Sequence, residues 1–147
     1  MPQITRSALV MYSADAMFNL VNDVASYPEF LPNCAGSTIL ESSDNLMVAS
    51  VQIAKGGINK SFTTRNSITL NERIDMELVD GPFDLLTGGW QFVPLDENAS
   101  KVILELDYQF SSKLIEMAFG SVFKEVANNM VAAFTERAKV IYGVPQL

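Results

Sequence analysis

The feature that most constrains the fold is a change in the spacing of apolar residues near residue 110. Between 37 and 110, apolar and polar residues alternate, which predicts half-buried antiparallel strands. Short turn sequences separate these strands at Asp44-Asn45, Gly56-Gly57, Asn71-Glu72, Asp80-Gly81-Pro82 and Asp96-Glu97-Asn98. From 112 to 142 the apolar residues recur at spacings of three and four, which predicts one amphipathic helix. The sequence therefore predicts an antiparallel meander followed by a long helix.

Two of the predicted strands show the alternation clearly. The first has a buried parity at Ile58, Phe62, Ile68 and Leu70, and the second has one at Val102, Leu104, Leu106, Tyr108 and Phe110. The apolar stripe of the long helix comprises Ile115, Phe119, Val122, Phe123, Val126, Met130, Ala133, Phe134 and Ile141. A helix of this length extends about 45 Å, so we expect it to cross the whole sheet.

The region before the meander predicts one strand and two short helices. Residues 3 to 11 are typical of a strand, and Ser13 is a suitable N-cap for a helix with Asp15 in its first turn. A second, shorter helix is predicted to begin near Ser26 and to end at Pro32.

The composition excludes several classes of function. The chain has no histidine and one cysteine, so it offers no Ser/His/Asp or Cys/His arrangement and no credible metal site, and we expect no cofactor. A formal charge of -7 opposes diffuse binding to DNA or to anionic lipid. No apolar run reaches the roughly 18 to 20 residues that span a bilayer, so the sequence predicts no membrane span. Transient contact with a membrane surface stays open. We expect a single cytoplasmic domain over residues 1–147, with no secretory signal.

The segment "YPEFLPNC", residues 27 to 34, contains the only cysteine. A nucleophilic Cys34 would need a neighbouring cation or a helix N-terminus to lower the pKa of its thiol, and none is adjacent in sequence. We therefore predict that Cys34 is a small apolar residue in a wall of the fold.

Four segments resemble a known family: "YPEFLPNC", "FTTRN", "LVDGPFDLLTGGWQF" and "FKEVANNMVAAFTERA". They are similar to the START and polyketide-cyclase-like superfamily, and within it to the family that contains the coenzyme Q-binding protein and the ribosome association toxin RatA. The resemblance implies an α+β helix-grip fold, in which a curved antiparallel sheet wraps around the C-terminal helix. Many relatives carry a tryptophan immediately before the cysteine, where this chain has Asn33.

Such folds commonly leave a cavity between the sheet and the long helix. The residues predicted to line it are Phe30, Leu31, Phe62, Thr64, Leu78, Phe83, Trp90, Phe92, Leu106, Tyr108, Val122, Val126 and Met130. Thr64, Asn66 or Tyr108 would orient a polar head group. The segment from Val79 to Phe83 is either an ordinary turn or a loop whose aromatic tip, Phe83, closes a cavity or meets a partner.

Three functions remain open. The resemblance favours non-enzymatic binding of a hydrophobic small molecule, most plausibly a polyisoprenoid quinone such as ubiquinone, in support of respiration. The alternative is association with the large ribosomal subunit, for which Lys55, Lys60 and Arg65 would form a basic patch that contacts phosphates. A cyclase-like enzyme is the remote alternative, and it would depend on buried carboxylates such as Asp80 or Asp107, or on tyrosine.

Overall fold

The computed structural model of the protein describes residues 3–143. Seven strands, two α-helices and one 3₁₀ helix follow one another within this range. Their bounds are β1 Gln3–Val10, α1 Ala14–Asn22, the 3₁₀ helix Val24–Glu29, β2 Cys34–Ser42, β3 Leu46–Lys55, β4 Ile58–Thr69, β5 Arg73–Asp80, β6 Phe83–Asp96, β7 Ala99–Phe110 and α2 Lys113–Tyr142.

The strands form one antiparallel sheet in the order β1-β7-β6-β5-β4-β3-β2. Each strand from β2 to β6 pairs with the next along the chain, which confirms the predicted meander. β1 pairs with β7, so β1 and β2 are the two edge strands. Register shifts leave extra residues on β2, β5 and β6, and bulges of this kind bend strands and increase their twist.

The glycine pair in β6 allows three strands to lie close together. Gly88 and Gly89 have φ values of 133° and 157°. A Cβ atom on Gly88 would lie 2.1 Å from the Glu105 carbonyl oxygen, and one on Gly89 would lie 2.1 Å from the Ile74 carbonyl oxygen. Only glycine fits both positions, because any side chain would collide with the backbone of a neighbouring strand.

The start of α1 is as predicted. The Ser13 hydroxyl oxygen accepts a hydrogen bond from the Ala16 N–H at 3.1 Å, and Asp15 lies in the first turn. The apolar stripe of α1, including Met17 and Val21, is buried. The cap and the stripe together fix where the helix begins and which face packs on the core.

The second short helix differs from the prediction. It is a 3₁₀ helix that begins at Val24 rather than near Ser26, and Pro28 lies near its end. A 3₁₀ helix uses hydrogen bonds three residues apart, so it can follow α1 almost directly in a tighter winding. The chain then turns at Asn33, which has a φ of 66°. Asparagine tolerates this left-handed conformation better than a bulky residue does.

The predicted long helix is α2, and its N-cap is Ser112, whose side chain accepts from the Ile115 N–H at 3.1 Å. Its central stripe is buried, including Phe119 and Phe134, which are fully covered. Two predicted core residues are wrong: Ile141 lies in the last turn and Leu70 lies beyond the end of β4, and both are exposed. Periodicity places a residue on a face, but packing there also requires that an opposing element extend that far.

The helix-grip fold is confirmed. The inward parities of β4 and β7 face α2, and one hydrophobic core occupies the space between sheet and helix. None of the helices within residues 3–143 has both the length and the apolar character needed to cross a membrane.

Candidate interior cavity

A cavity of about 70 Å³ lies between the concave face of the sheet and α2. The sheet, the 3₁₀ helix region and α2 all contribute to its wall. Its lining consists of Val24, Tyr27, Leu31, Ala49, Val51, Ile53, Phe62, Thr64, Asn66, Met76, Leu86, Trp90, Leu106, Phe123, Val126, Ala127 and Met130.

Strand register explains how the sheet side of the wall is assembled. On β3 the lining residues are Ala49, Val51 and Ile53, which alternate along the strand and so share a face. On β4 the residues directly opposite Ala49 and Val51 are Thr64 and Phe62. On α2 the lining residues recur at spacings of three and four, as one helix face requires.

Two uncharged polar side chains on β4 interrupt the apolar lining. The Thr64 hydroxyl donates a hydrogen bond to Asn66 Oδ1 at 2.8 Å, and each residue is only 7% exposed. The wall also contains the Trp90 indole, whose N–H is a donor, and the Tyr27 hydroxyl, which donates to the Val21 carbonyl oxygen. Burial raises the pKa of Tyr27 far above its usual value, so this group stays neutral.

No Asp, Glu, Lys or Arg within residues 3–143 lines the cavity. The described residues also contain no group of three or more metal-ligating side chains. An ionised group placed in this wall would lose its hydration without gaining a counter-charge. The site is therefore suited to a neutral, largely apolar occupant.

Seven of the predicted cavity residues lie in this wall. They are Leu31, Phe62, Thr64, Trp90, Leu106, Val126 and Met130. Their role in binding stays a prediction, but the structure brings them together around one space.

Six predicted cavity residues lie elsewhere: Phe30, Leu78, Phe83, Phe92, Tyr108 and Val122. Phe83 is the clearest correction, because its ring is buried rather than exposed at a loop tip. It opens β6 and stacks on Phe110 with ring centroids 5.1 Å apart, and it meets Phe123 at 5.0 Å. Phe83 therefore fills the core and does not close an entrance.

Phe83 belongs to an aromatic cluster beside the cavity. The cluster comprises Phe62, Phe83, Tyr108, Phe110, Phe119 and Phe123. Tyr108 is outside the cavity because its ring packs on Phe123, with centroids 4.9 Å apart. Tyr108 therefore does not supply the polar head-group contact expected from the sequence.

The remaining four residues pack at the periphery or deep in the core. Phe92 stacks on Trp90 and meets Phe18 of α1 edge to face, so it lies behind the cavity wall. The guanidinium of Arg137 lies 4.9 Å from the ring centroid of the half-buried Phe30. Leu78 is half-buried near the end of β5, and Val122 is buried in the core.

Sequence reasoning missed the whole β3 contribution and several other lining residues. The missed set is Val24, Tyr27, Ala49, Val51, Ile53, Asn66, Met76, Leu86, Phe123 and Ala127. Asn66 is predicted to orient a head group, but it is not among the residues predicted to line the cavity. The β3 residues could have been predicted, because Ala49, Val51 and Ile53 are apolar at every second position and therefore share one face of the strand. Ala127 carried no signal, because a small residue looks the same beside a void as in a close contact.

The predicted basic patch does not form one cluster. Lys60 shares the inward parity of β4 with Phe62, whereas the exposed Arg65 is on the opposite parity, about 17 Å along the strand. Lys55 is already paired, because its Nζ lies 2.6 Å from Glu125 Oε2 on α2. The three cations therefore do not present a single surface to a polyanion.

Cys34 is buried at the start of β2, as predicted for a small apolar residue, but it does not line the cavity. Burial raises the pKa of its thiol, and its Sγ–H contacts the Gly36 carbonyl oxygen at 3.5 Å. A raised pKa lowers the thiolate fraction near neutral pH, which argues against a nucleophile.

Comparisons with known proteins give this geometry a context. Residues 10–135 match the family described as polyketide cyclase/dehydrase and lipid transport. The chain is 61% identical over 143 residues to the ribosome association toxin RatA of Vibrio cholerae, which covers 97% of this chain and 99% of that protein. It is 28% identical over 136 residues to the mitochondrial coenzyme Q-binding protein COQ10 of Dictyostelium discoideum, covering 90% and 66% respectively.

A solved structure supports the fold assignment. The Zhui aromatase/cyclase from Streptomyces superposes with a TM-score of 0.82 at 16% identity, and 95% of each chain is covered. At this identity the likeness concerns the fold alone.

Proposed function

Because the chain belongs to the polyketide cyclase/dehydrase and lipid transport family, in the branch of RatA and the coenzyme Q-binding proteins, we propose that it binds a neutral hydrophobic small molecule between sheet and helix. The observation that carries this proposal is the cavity itself, with its apolar wall and one uncharged polar pair. Burying an apolar ligand there contributes roughly 25 cal/mol per Å² of area removed from water.

A polyisoprenoid quinone is the proposed ligand. Its tail is a hydrocarbon, and its head is a neutral ring whose polar atoms are oxygens. This chemistry matches the uncharged lining, and the name of the Dictyostelium relative refers to such a quinone. Quinone binding by this chain would support respiratory quinone function.

Ligand entry requires the wall to move. The cavity holds about 70 Å³, whereas a cavity that admits a benzene ring has about 150 Å³. Two methionines in the wall, Met76 and Met130, are half-buried and can change rotamer at little cost. We propose that the cavity is the closed form of the site, and that the ligand enlarges it by displacing these side chains.

The proposed role is non-catalytic. The two carboxylates considered for a cyclase, Asp80 and Asp107, do not line the cavity. The chain has no histidine, and the buried Cys34 thiol has a raised pKa. The Tyr27 hydroxyl does line the cavity, but burial raises its pKa and its proton is donated to the Val21 carbonyl oxygen, so it is poorly suited to act as an acid or base.

Native mass spectrometry of freshly purified protein tests the proposal. We expect a bound species that is released into organic solvent and identified as a quinone or a related neutral lipid. The delipidated protein should then melt at a higher temperature with decylubiquinone, because a ligand at 100 times its Kd stabilises the native state by about 2.7 kcal/mol. Octyl glucoside serves as the control amphiphile. An unchanged melting temperature with every quinone tested would rule the proposal out.

Association with the ribosome is the second proposed function. It is favoured by the 61% identity to a protein named for that activity over nearly the whole of both chains. The large subunit would be the partner, as the sequence alternative predicts. Since Lys60 and Arg65 have opposite strand parities, we propose that only one of the two faces of β4 makes the contact.

Cosedimentation with purified large subunits at low salt tests this second function. If phosphates are contacted, binding should weaken with added salt, and one of Lys60→Glu and Arg65→Glu should weaken it far more than the other. Lys101→Glu, an exposed position on β7, is a matched charge control. Absence of the protein from the subunit fraction at low salt would dismiss this function.

A further inference from the structure

Two of the polar side chains in the cavity wall, Thr64 and Asn66, lie together on β4. Thr64 and Asn66 share the inward parity of β4, and both are more than nine-tenths buried. The Tyr27 hydroxyl has already donated its proton to the Val21 carbonyl oxygen. A ligand that reaches into the cavity therefore meets donors and acceptors side by side at the pair formed by Thr64 and Asn66, whereas the Trp90 indole offers only one N–H donor.

The hydrogen bond within the pair determines what it can still offer. The one hydroxyl proton of Thr64 is donated to Asn66 Oδ1, at 2.8 Å. The donors left to the pair are the two N–H hydrogens of the Asn66 amide. A carbonyl oxygen with one hydrogen bond is tolerated inside proteins, whereas an N–H without an acceptor is rare. The pair therefore requires an acceptor from its ligand more than it requires a donor.

The rest of the wall restricts the kind of acceptor. No charged side chain within residues 3–143 lines the cavity, so a carboxylate or phosphate would be desolvated without a cation beside it. A hydroxyl group that enters the apolar part of the wall would leave its own proton without an acceptor. A neutral carbonyl oxygen meets neither penalty.

We propose that the Thr64–Asn66 pair selects ligands by the hydrogen-bonding character of a neutral head group, and that it binds an oxidised quinone in preference to the corresponding quinol. This inference rests on the proposed quinone-binding function and names Asn66 as its specificity-determining residue. The quinone presents carbonyl acceptors to the Asn66 N–H groups. The quinol carries two hydroxyl protons, and the wall has few acceptors for them.

The local packing supports a contact at Asn66. Met76 of β5 is the direct cross-strand neighbour of Asn66, and both residues line the cavity. Movement of the flexible Met76 side chain would enlarge the space immediately beside the amide. A ring that enters by this displacement reaches Asn66 without disturbing the aromatic cluster.

Anaerobic isothermal titration calorimetry with decylubiquinone and decylubiquinol tests the inference. We expect the wild-type protein to bind the quinone about tenfold more tightly, a difference of about 1.4 kcal/mol. Asn66→Leu keeps a similar volume and removes the amide, so it should still bind both forms and should lose most of the preference. Ser100→Ala is the control, because Ser100 is a buried polar residue that donates to Tyr12 O outside the cavity. It should keep the tenfold preference.

The outcomes separate the inference from the proposed function. Binding of both forms with equal affinity, or tighter binding of the quinol, would overturn the inference and leave quinone binding intact. A preference that survives Asn66→Leu would also overturn it, as would decanoate binding as tightly as the quinone. Failure to bind either form would overturn both proposals.

A second variant covers the case in which Asn66→Leu does not fold. Thr64→Val removes the donor to Asn66 Oδ1, so that oxygen becomes an acceptor for a quinol hydroxyl. The preference for the quinone should then fall to about threefold or less. An unchanged preference in Thr64→Val would contradict the proposed role of the pair.

Discussion

Two regions of the space beneath α2 are packed differently. Toward the start of the helix, Phe119 and Phe123 meet Phe83, Phe110 and Tyr108, with ring centroids between 4.9 and 6.4 Å apart. Further along, the helix contributes Val126, Ala127 and Met130, and the cavity lies between these residues and the sheet. Rings fill the interior at the first end. At the cavity end, shorter and more flexible side chains leave space, until the buried ring of Phe134 meets Tyr27 and Trp90 and fills the interior again.

This difference teaches that one helix can serve two purposes. The aromatic cluster fixes the position of α2 on the sheet, because six large rings bury much apolar surface in defined geometries. The cavity end then has less packing to lose when its side chains move. Stability and ligand access are therefore separated along the same element, with Phe62 and Phe123 at the boundary.

The largest expected effect is a difference in stability between a truncation in the aromatic cluster and one at the cavity end. Phe119→Ala removes a fully buried ring from the aromatic cluster and should lower the free energy of unfolding by about 3 to 5 kcal/mol. Met130→Ala removes a half-buried side chain beside an existing void and should cost less than about 2 kcal/mol. Urea denaturation measures both. Equal losses would mean that the two ends are packed alike.

The next pair of substitutions enlarges buried alanines of α2 instead of truncating its larger side chains. Ala138→Leu enlarges a fully buried residue of α2 away from the cavity, and overpacking there should cost about 1 to 3 kcal/mol. Ala127→Leu places the same added atoms in the cavity wall and should cost less than about 1 kcal/mol. It should also abolish ligand-induced stabilisation. The account is contradicted if Ala127→Leu is the more destabilising of the two.

A pH-dependent effect is expected at the wall of the cavity. Burial raises the pKa of Tyr27 above its usual value of 10.0, and the nearby Cys34 and Asp23 raise it further. The unfolded chain loses this proton near pH 10 and the folded chain retains it, so stability is complete below pH 10 and falls as the pH rises above it. Tyr27→Phe should cost about 1 kcal/mol at pH 7, through the lost hydrogen bond to Val21.

The same variant should make stability less dependent on pH between 10 and 11. One group accounts for at most about 1.4 kcal/mol per pH unit, and Tyr27→Phe removes that contribution. Urea denaturation at several pH values measures the slope. The half-exposed Tyr142 gives the control Tyr142→Phe, which should reduce the slope less. A slope that is identical in Tyr27→Phe and wild type would show that Tyr27 ionises normally in the folded protein.

The smallest expected effect concerns the ion pair between the sheet and α2 near the cavity end. Lys55 and Glu125 are each nearly half exposed, so Lys55→Ala should lower the free energy of unfolding by no more than about 0.5 kcal/mol. A double-mutant cycle with Glu125→Ala measures the coupling, which should shrink in high salt. Coupling above about 2 kcal/mol would mean that this pair, rather than the aromatic cluster, holds the helix in place.

The sequence predicted the fold well because its signals are periodic. The alternation along β7 and the spacing of three and four along α2 each extend over many residues, so single exceptions such as Ile141 do not change the conclusion. The resemblance to the helix-grip family supplied the packing of the helix on the sheet. Periodicity alone does not give that arrangement.

The site was only partly predictable, because the cavity depends on differences in packing. Phe83 looked like a loop-tip residue, but the register shift between Phe83 and Leu85 begins β6 with its ring stacked on Phe110. The separation of Lys60 from Arg65 followed from strand parity and could have been predicted. The void beside Ala127 depends on the curvature of the sheet and on the volumes of its neighbours, which no local pattern records.

Fluorescence of the single tryptophan tests the central claim most directly, because Trp90 is buried in the cavity wall. Titration with decylubiquinone, an absorbing ring that quenches indole emission, should give saturable quenching with one site per chain in wild type and in Ala138→Leu. Ala127→Leu should show only weak quenching that rises linearly with concentration. Linear quenching of equal strength in all three proteins would contradict a ligand site between the sheet and α2.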